Sequence, residues 1–174
     1  MTKRLLTLPV LLLLCAALAA CGSSAAPGII AAPSGGATEA AVPAAPKVPA
    51  DLSTEPAVPK QTGPAPTKLV TKDLIVGTGA TAAAGDSITV NYVGALYNTG
   101  KIFDASWTRH QTFSTTLSSG NVIPGWVQGL TGMKVGGRRE LIIPPSLGYG
   151  KAGQPPTIPP NSTLVFVVDL LSAS

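Results

Sequence analysis

Aromatic side chains are confined to the second half of this chain. All eight aromatic residues, Tyr92, Tyr97, Phe103, Trp107, Phe113, Trp126, Tyr149 and Phe166, follow residue 91, so only the second half can build a substantial core. The 174 residues leave room for about one domain. Residues 22–67 read GSSAAPGIIAAPSGGATEAAVPAAPKVPADLSTEPAVPKQTGPAPT. At this density of Pro and Gly neither a helical nor a strand period survives. The segment is expected to be a disordered tether mixing flexible and polyproline II stretches. Such a tether spans roughly 35 to 40 Å as a coil and up to about 140 Å fully extended. The folded domain is therefore expected at residues 68–174. Charged residues make up 11% of the chain, low for a soluble domain, because the tether and the segment before it dilute them.

Residues 1–20 place Lys3 and Arg4 ahead of a Leu- and Ala-rich run from Leu5 to Ala20. That run is broken by Pro9 and too short for a comfortable membrane span, which is the pattern of an export signal. The junction Leu18-Ala19-Ala20-Cys21 resembles the lipobox of bacterial lipoproteins. The resemblance implies cleavage before Cys21, acylation of Cys21, and anchoring to a bacterial membrane in the periplasm or at the cell surface. An ordinary secretory signal with an incidental cysteine stays open. Cleavage would remove Cys15 and leave Cys21 as the only thiol, so no intrachain disulfide is expected. Loss of Lys3 and Arg4 also takes the formal charge from +4 to about +2. The sequence pI near 9.3 is then poor grounds for nucleic acid, and no nucleic-acid partner is expected. Arg138-Arg139, the only adjacent basic pair after residue 68, reads as a solvated strand end.

From Lys68 onward the pattern is mainly β. Ile88, Val90, Tyr92 and Gly94 alternate with Thr89, Asn91 and Val93, a period of two that buries one face. Asn98-Thr99-Gly100 is a hairpin signal leading into Lys101-Ile102-Phe103. Residues 140–143 and 163–171 read as further strands, and 69–76 as a weaker one. Only VIPGWVQGLTGM reads as a helix, with Pro124 at its first position and Gly125 to Met133 following. Trp126, Val127 and Leu130 should turn inward. Trp126 could fill a core, pin a turn, or floor a pocket at the helix start.

Three stretches carry a resemblance: VNYVGALYNTGKIFDAS (90–106), VIPGWVQGLTGMKVGGRRELIIPPSLGYG (122–150) and IPPNSTLVFVVDLL (158–171). In order and spacing the chain resembles the FKBP-type peptidyl-prolyl cis-trans isomerases, the macrolide-binding immunophilins. The resemblance implies an α+β fold, a twisted antiparallel sheet wrapped around one short helix, with a shallow apolar pocket between them. It implies catalytic positions at Tyr92, Phe103, Asp104, Trp126, Tyr149 and Phe166, and substrate-binding positions at Phe113, Val122, Ile123 and Ile158. Trp126 would be the floor under a prolyl ring, with the Ile123 amide and the Tyr149 hydroxyl donating to ligand carbonyls. Arg109 would join Tyr92 and Asp104. Thr115, Gln154 and Pro124 depart from the family pattern at the rim, which bears on macrolide affinity and peptide preference. The implied activity is rotamase catalysis on proline-containing, exported polypeptides, by binding the twisted imide without covalent chemistry. Macrolide inhibitors are an implied ligand class.

The residue inventory agrees with chemistry of that kind. His110 is the only histidine, and no carboxylate pair or metal-ligand spacing is present, so neither a metal nor a cofactor is expected. Gly77-Thr78-Gly79 and Gly150-Lys151 lack phosphate-loop spacing and read as turns. On pattern alone Phe166 and Tyr92 read as core, Trp126 reads either way, and Asp104 is the least core-like. A non-catalytic chaperone or protein-binding lipoprotein using the same pocket is the alternative function. No extended dimerisation helix precedes the domain, so a monomer is expected.

Overall fold

Alternating residues become strands wherever one side chain in two can reach a common core. The computed structural model describes residues 52–174; the leader, Cys21 and the tether as far as residue 51 lie outside the described residues. In chain order the strands are β1 (Val70–Ile75), β2 (Ser87–Leu96), β3 (Ile102–Ala105), β4 (Phe113–Thr116), β5 (Arg138–Ile143) and β6 (Leu164–Ala173). They form one antiparallel sheet in the order β1-β5-β6-β2-β3, with β4 paired to the first half of β2. The ten-residue strands β2 and β6 are its middle, in a register that sets Tyr92 opposite Val168 and Gly94 opposite Phe166. Among the described residues this is the antiparallel sheet with a single α-helix expected from the sequence. Strand β4, sequence FSTT, was not expected, since three polar residues in four give no apolar alternation.

The helix α1 (Pro124–Leu130) crosses the inner face of the sheet. Pro124 opens it where no amide donor is needed. Two turns would not hold in water alone, so packing must supply the stability. Gly125 and Gly129 allow a close approach to β5: a Cβ on Gly125 would come within 2.5 Å of Ile143 Cγ2, and one on Gly129 within 2.7 Å of Leu141 Cδ2. Trp126 and Leu130 are buried among Val90, Leu141, Phe166 and Val168, whereas Val127 is only half-buried. The helix stops three residues short of the expected Met133. Thr131 leaves helical geometry at ψ 132, its hydroxyl donates to the Val127 carbonyl at 2.6 Å, and Gly132 follows at φ 82.

Two departures concern the outer face. The solvated reading of Arg138-Arg139 is corrected. Arg138 is 9% exposed and grips the fully buried Asp169 through Nε to Oδ1 at 2.5 Å and Nη2 to Oδ2 at 2.8 Å. Arg139 points the other way, to Asp73 at 2.5 Å and the Gly129 carbonyl at 2.8 Å. Burial raises the Asp169 pKa, and the guanidinium of Arg138 opposes that rise. The second departure lies in the stretch read as tether. Leu52 and Pro56 are buried, Arg138 Nη2 donates to the Thr54 carbonyl at 2.9 Å, and Gln61 Nε2 donates to Glu140 Oε1 at 2.7 Å. The Tyr97 hydroxyl donates to the Pro64 carbonyl at 3.3 Å.

Candidate active site

Each wall of the site comes from a different element. Strand β2 contributes Tyr92, β3 contributes Phe103 and Asp104, β4 contributes Phe113, and β6 contributes Phe166. The turn into α1 brings Val122 and Ile123, α1 itself brings Trp126, and the loop after a 3-10 turn at Pro145–Leu147 brings Tyr149. Together with Asn121 and Gln154 these side chains line a cavity of about 320 Å³. Trp126 lies 4% exposed beneath it. Its indole meets Tyr92 at 5.4 Å and 81°, Phe166 at 5.4 Å and 86°, and Phe113 at 6.3 Å and 79°. Phe103 stands edge-on to Phe166 at 5.5 Å. These edge-to-face arrangements suit the ring quadrupoles, and each ring limits the movement of the next.

The polar rim is a three-residue network. The Tyr92 hydroxyl donates to Asp104 Oδ2, Arg109 Nη1 donates to Asp104 Oδ1, and Arg109 Nη2 donates to the Tyr92 oxygen at 2.9 Å. The guanidinium also sits 5.8 Å from the Tyr92 ring centroid. Burial first, and then the bond to Asp104, push the Tyr92 pKa up to about 12. Burial and the Asp104 charge raise that of Tyr149, while the hydrogen bond to Asp104 raises that of Arg109. Both lining tyrosines are therefore neutral hydroxyls at ordinary pH, and the Asp104 carboxylate is held by a permanent cation.

The structure gathers nine of the residues named from the sequence around one cavity. Ile158 is placed differently: it is 2% exposed, belongs to the core, and lines an adjoining cavity of about 330 Å³ with Phe103, Asp104, Tyr149, Gln154, Pro155 and Thr157. Asn121 was missed, and nothing marks it beyond its place next to Val122. Gln154 borders both cavities. Thr115 does not line the main cavity, and His110 borders a separate one with Trp107. Cys21 lies outside the described residues.

A ring-walled hollow held between an antiparallel sheet and one short helix, rimmed by neutral hydroxyls, suits the gripping of an apolar ring flanked by carbonyls. The family profile described as FKBP-type peptidyl-prolyl cis-trans isomerase matches residues 79–171. The chain belongs to this family, and the activity is peptidyl-prolyl cis-trans isomerisation. It is similar to a probable FK506-binding protein of Corynebacterium glutamicum, 47% identical over 119 residues that cover 68% of this chain and 98% of the other. It is also similar to an FK506-binding protein of Streptomyces anulatus, 50% identical over 111 residues, 63% of this chain and 90% of the other. Among solved structures, FkpA from Escherichia coli superimposes with a TM-score of 0.57 at 44% identity, covering 71% of this chain and 55% of that one. AtFKBP13 gives the same TM-score at 38% identity, covering 63% of this chain and 96% of that one.

Proposed function

We propose that the hollow over Trp126 receives the prolyl ring of an exported, folding polypeptide and catalyses its isomerisation at a bacterial membrane surface, where lipidated Cys21 tethers the chain. A peptide bond resists rotation by about 18 to 20 kcal/mol because resonance moves electron density from nitrogen into the carbonyl. Uncatalysed prolyl isomerisation consequently takes on the order of tens to hundreds of seconds. Twisting breaks the resonance and reduces the charge separation across the imide. Walls made of Tyr92, Phe103, Phe113, Trp126 and Phe166 then favour the twisted form over the planar one that water solvates well. This is differential binding of the transition state, with no bond made or broken.

The polar groups serve positioning. The Ile123 amide and the neutral Tyr149 hydroxyl are the proposed donors to carbonyls flanking the imide. Arg109 and Tyr92 hold Asp104 at the rim, facing the cavity. The FK506-binding relatives support the same hollow as the place where a macrolide would compete with peptide. The observation that carries the reading is the cavity itself, enclosed by five mutually braced rings and bordered by tyrosines that stay protonated. The location rests on the Leu18-Ala19-Ala20-Cys21 sequence.

The deciding experiment is the cis-to-trans rate of a Leu-Pro test peptide with the full chain and with Phe103→Ala/Asp104→Ala. Acceleration by the wild type that the variant loses, with near-UV circular dichroism retained, assigns catalysis to this hollow. Equal acceleration by both would move the site elsewhere. For Cys21→Ser, an unchanged membrane fraction and an intact mass that differs from the wild type only by the exchange of sulfur for oxygen would reject the lipid tether.

A further inference from the structure

A sheet that packs on one side alternates apolar and polar residues, whereas a strand buried on both faces reads as a continuous apolar run. Strand β6 reads LVFVVDLL from Leu164 to Leu171, and every one of these residues is buried. Leu164, Phe166, Val168 and Leu170 belong to the inner core beneath α1. Val165, Val167 and Asp169, on the opposite face, are exposed by 1% or less and lie outside that core. Their β2 neighbours Val93 and Ala95 are fully buried as well. Something must therefore cover the outer face.

The segment before β1 is anchored across that face at three rows of the register. Thr54 is held at the row of Arg138 and Asp169, Gln61 at the row of Glu140 and Val167, and Pro64 at Tyr97, just beyond the Leu96–Leu164 pair. The rows follow in order along the strands, so residues 54–64 travel from one end of the sheet to the other. Gly63 at φ 87 lies at the turn, and β1 then runs back, with Val70 opposite Ile142 and Ile75 opposite Arg138. Leu52 and Pro56 are buried yet absent from the inner core.

We infer that the outer face of the sheet is a docking surface whose occupant is the chain's own segment 52–64, bound in cis as an extended strap. The strap lies on the face opposite the isomerase pocket and is part of the folded unit. Arg138 is the centre of the attachment, joining a buried carboxylate of β6 to the strap backbone. Proline suits the strap because an extended, polyproline-like segment has little conformational freedom to lose on docking.

Two matched trypsin sites test this in the full chain. Pro46-Lys47-Val48 and Pro59-Lys60-Gln61 present lysine in the same context, one in the stretch read as tether and one in the strap. The Lys60 side chain is exposed, so its protection would come from a restrained backbone. The expected result is cleavage after Lys60 at least about tenfold slower than after Lys47, with Leu52→Asp closing the gap. Near-UV circular dichroism separates release of the strap from loss of the whole fold, and either effect of Leu52→Asp makes the strap integral. Equal rates at the two sites in the wild type, or a gap that Leu52→Asp leaves untouched, would overturn the inference. Protection that vanishes on dilution would also overturn it, by assigning the strap to a second copy.

Discussion

Gly94 stands on β2 directly behind two walls of the pocket, and adding one methyl there separates the proposed architecture from a looser one. A Cβ at this position would lie 2.7 Å from Phe166 Cε1 and 2.8 and 2.9 Å from Phe103 Cζ and Cε2. Carbon atoms in good contact sit about 3.5 to 4.0 Å apart, so the rings must retreat by roughly 1 Å. Phe166 has little room, being braced by Trp126 at 5.4 Å and by Tyr92 at 6.3 Å. Phe103, half-buried at the rim, must move and narrow the hollow. Overpacking of this kind costs about 1 to 3 kcal/mol, against a gain of about 0.5 to 1 kcal/mol from replacing a strand glycine. The expected net result for Gly94→Ala is a lower urea midpoint and a kcat/KM for the Leu-Pro peptide reduced about tenfold, each factor of ten being about 1.4 kcal/mol of lost transition-state binding. Adding Phe103→Ala should return at least half of the stability lost, since the two changes share one contact. Wild-type stability together with wild-type turnover in Gly94→Ala would refute the close approach of these rings.

Two further outcomes follow from the charged and hydroxyl groups. Folded Tyr92 keeps its proton to about pH 12 whereas an unfolded tyrosine loses it near 10, so between those values rising pH favours the unfolded chain. Its contribution is full below pH 10 and lost by about 12, at most roughly 3 kcal/mol. Tyr92→Phe should lack this part of the alkaline decline, and parallel wild-type and variant curves of unfolding free energy against pH would contradict it. At the outer face, Asp169→Ala strands a buried guanidinium and should cost about 3 to 5 kcal/mol in chemical denaturation. Arg138→Met/Asp169→Leu should recover more than half of that, and a double variant no better than the single would show that the pair itself, and not the orphaned charge, sets the cost.

The inner face was largely legible because each of its signals is local. Alternation placed Tyr92 and Phe166 on inward positions of β2 and β6, Pro124 marked the helix start, and the family resemblance tied Phe103, Asp104, Phe113, Val122, Ile123 and Tyr149 to the same hollow. The resemblance also named Ile158, which lines the adjoining cavity that shares Phe103, Asp104, Tyr149 and Gln154 with the main hollow. The end of α1 was misjudged by three residues because the Thr131 hydroxyl competes for a helix carbonyl, a choice that apolar periodicity does not report. Arg138 looked solvated because its partner, Asp169, lies on a strand whose pairing is known only once the sheet register is known.

The strap was illegible for a different reason, one that connects the two faces of the sheet. A proline-rich stretch has no period of its own, so its order depends on the surface it meets, here made by residues from 93 to 171. That surface was nonetheless written in the sequence, as the unbroken apolar run of β6. Val165 and Val167 would have no use on a solvent-facing sheet, and Asp169 would have no reason to be fully buried. A pocket whose rings rise from strands inherits whatever rigidity those strands have. Gly94 and Phe166 brace the hollow from the same two strands, β2 and β6, whose other faces lie beneath the strap. Covering the outer face fixes the pleat that aims the rings, so weakening the strap should loosen the pocket through the shared strands before the inner core gives way.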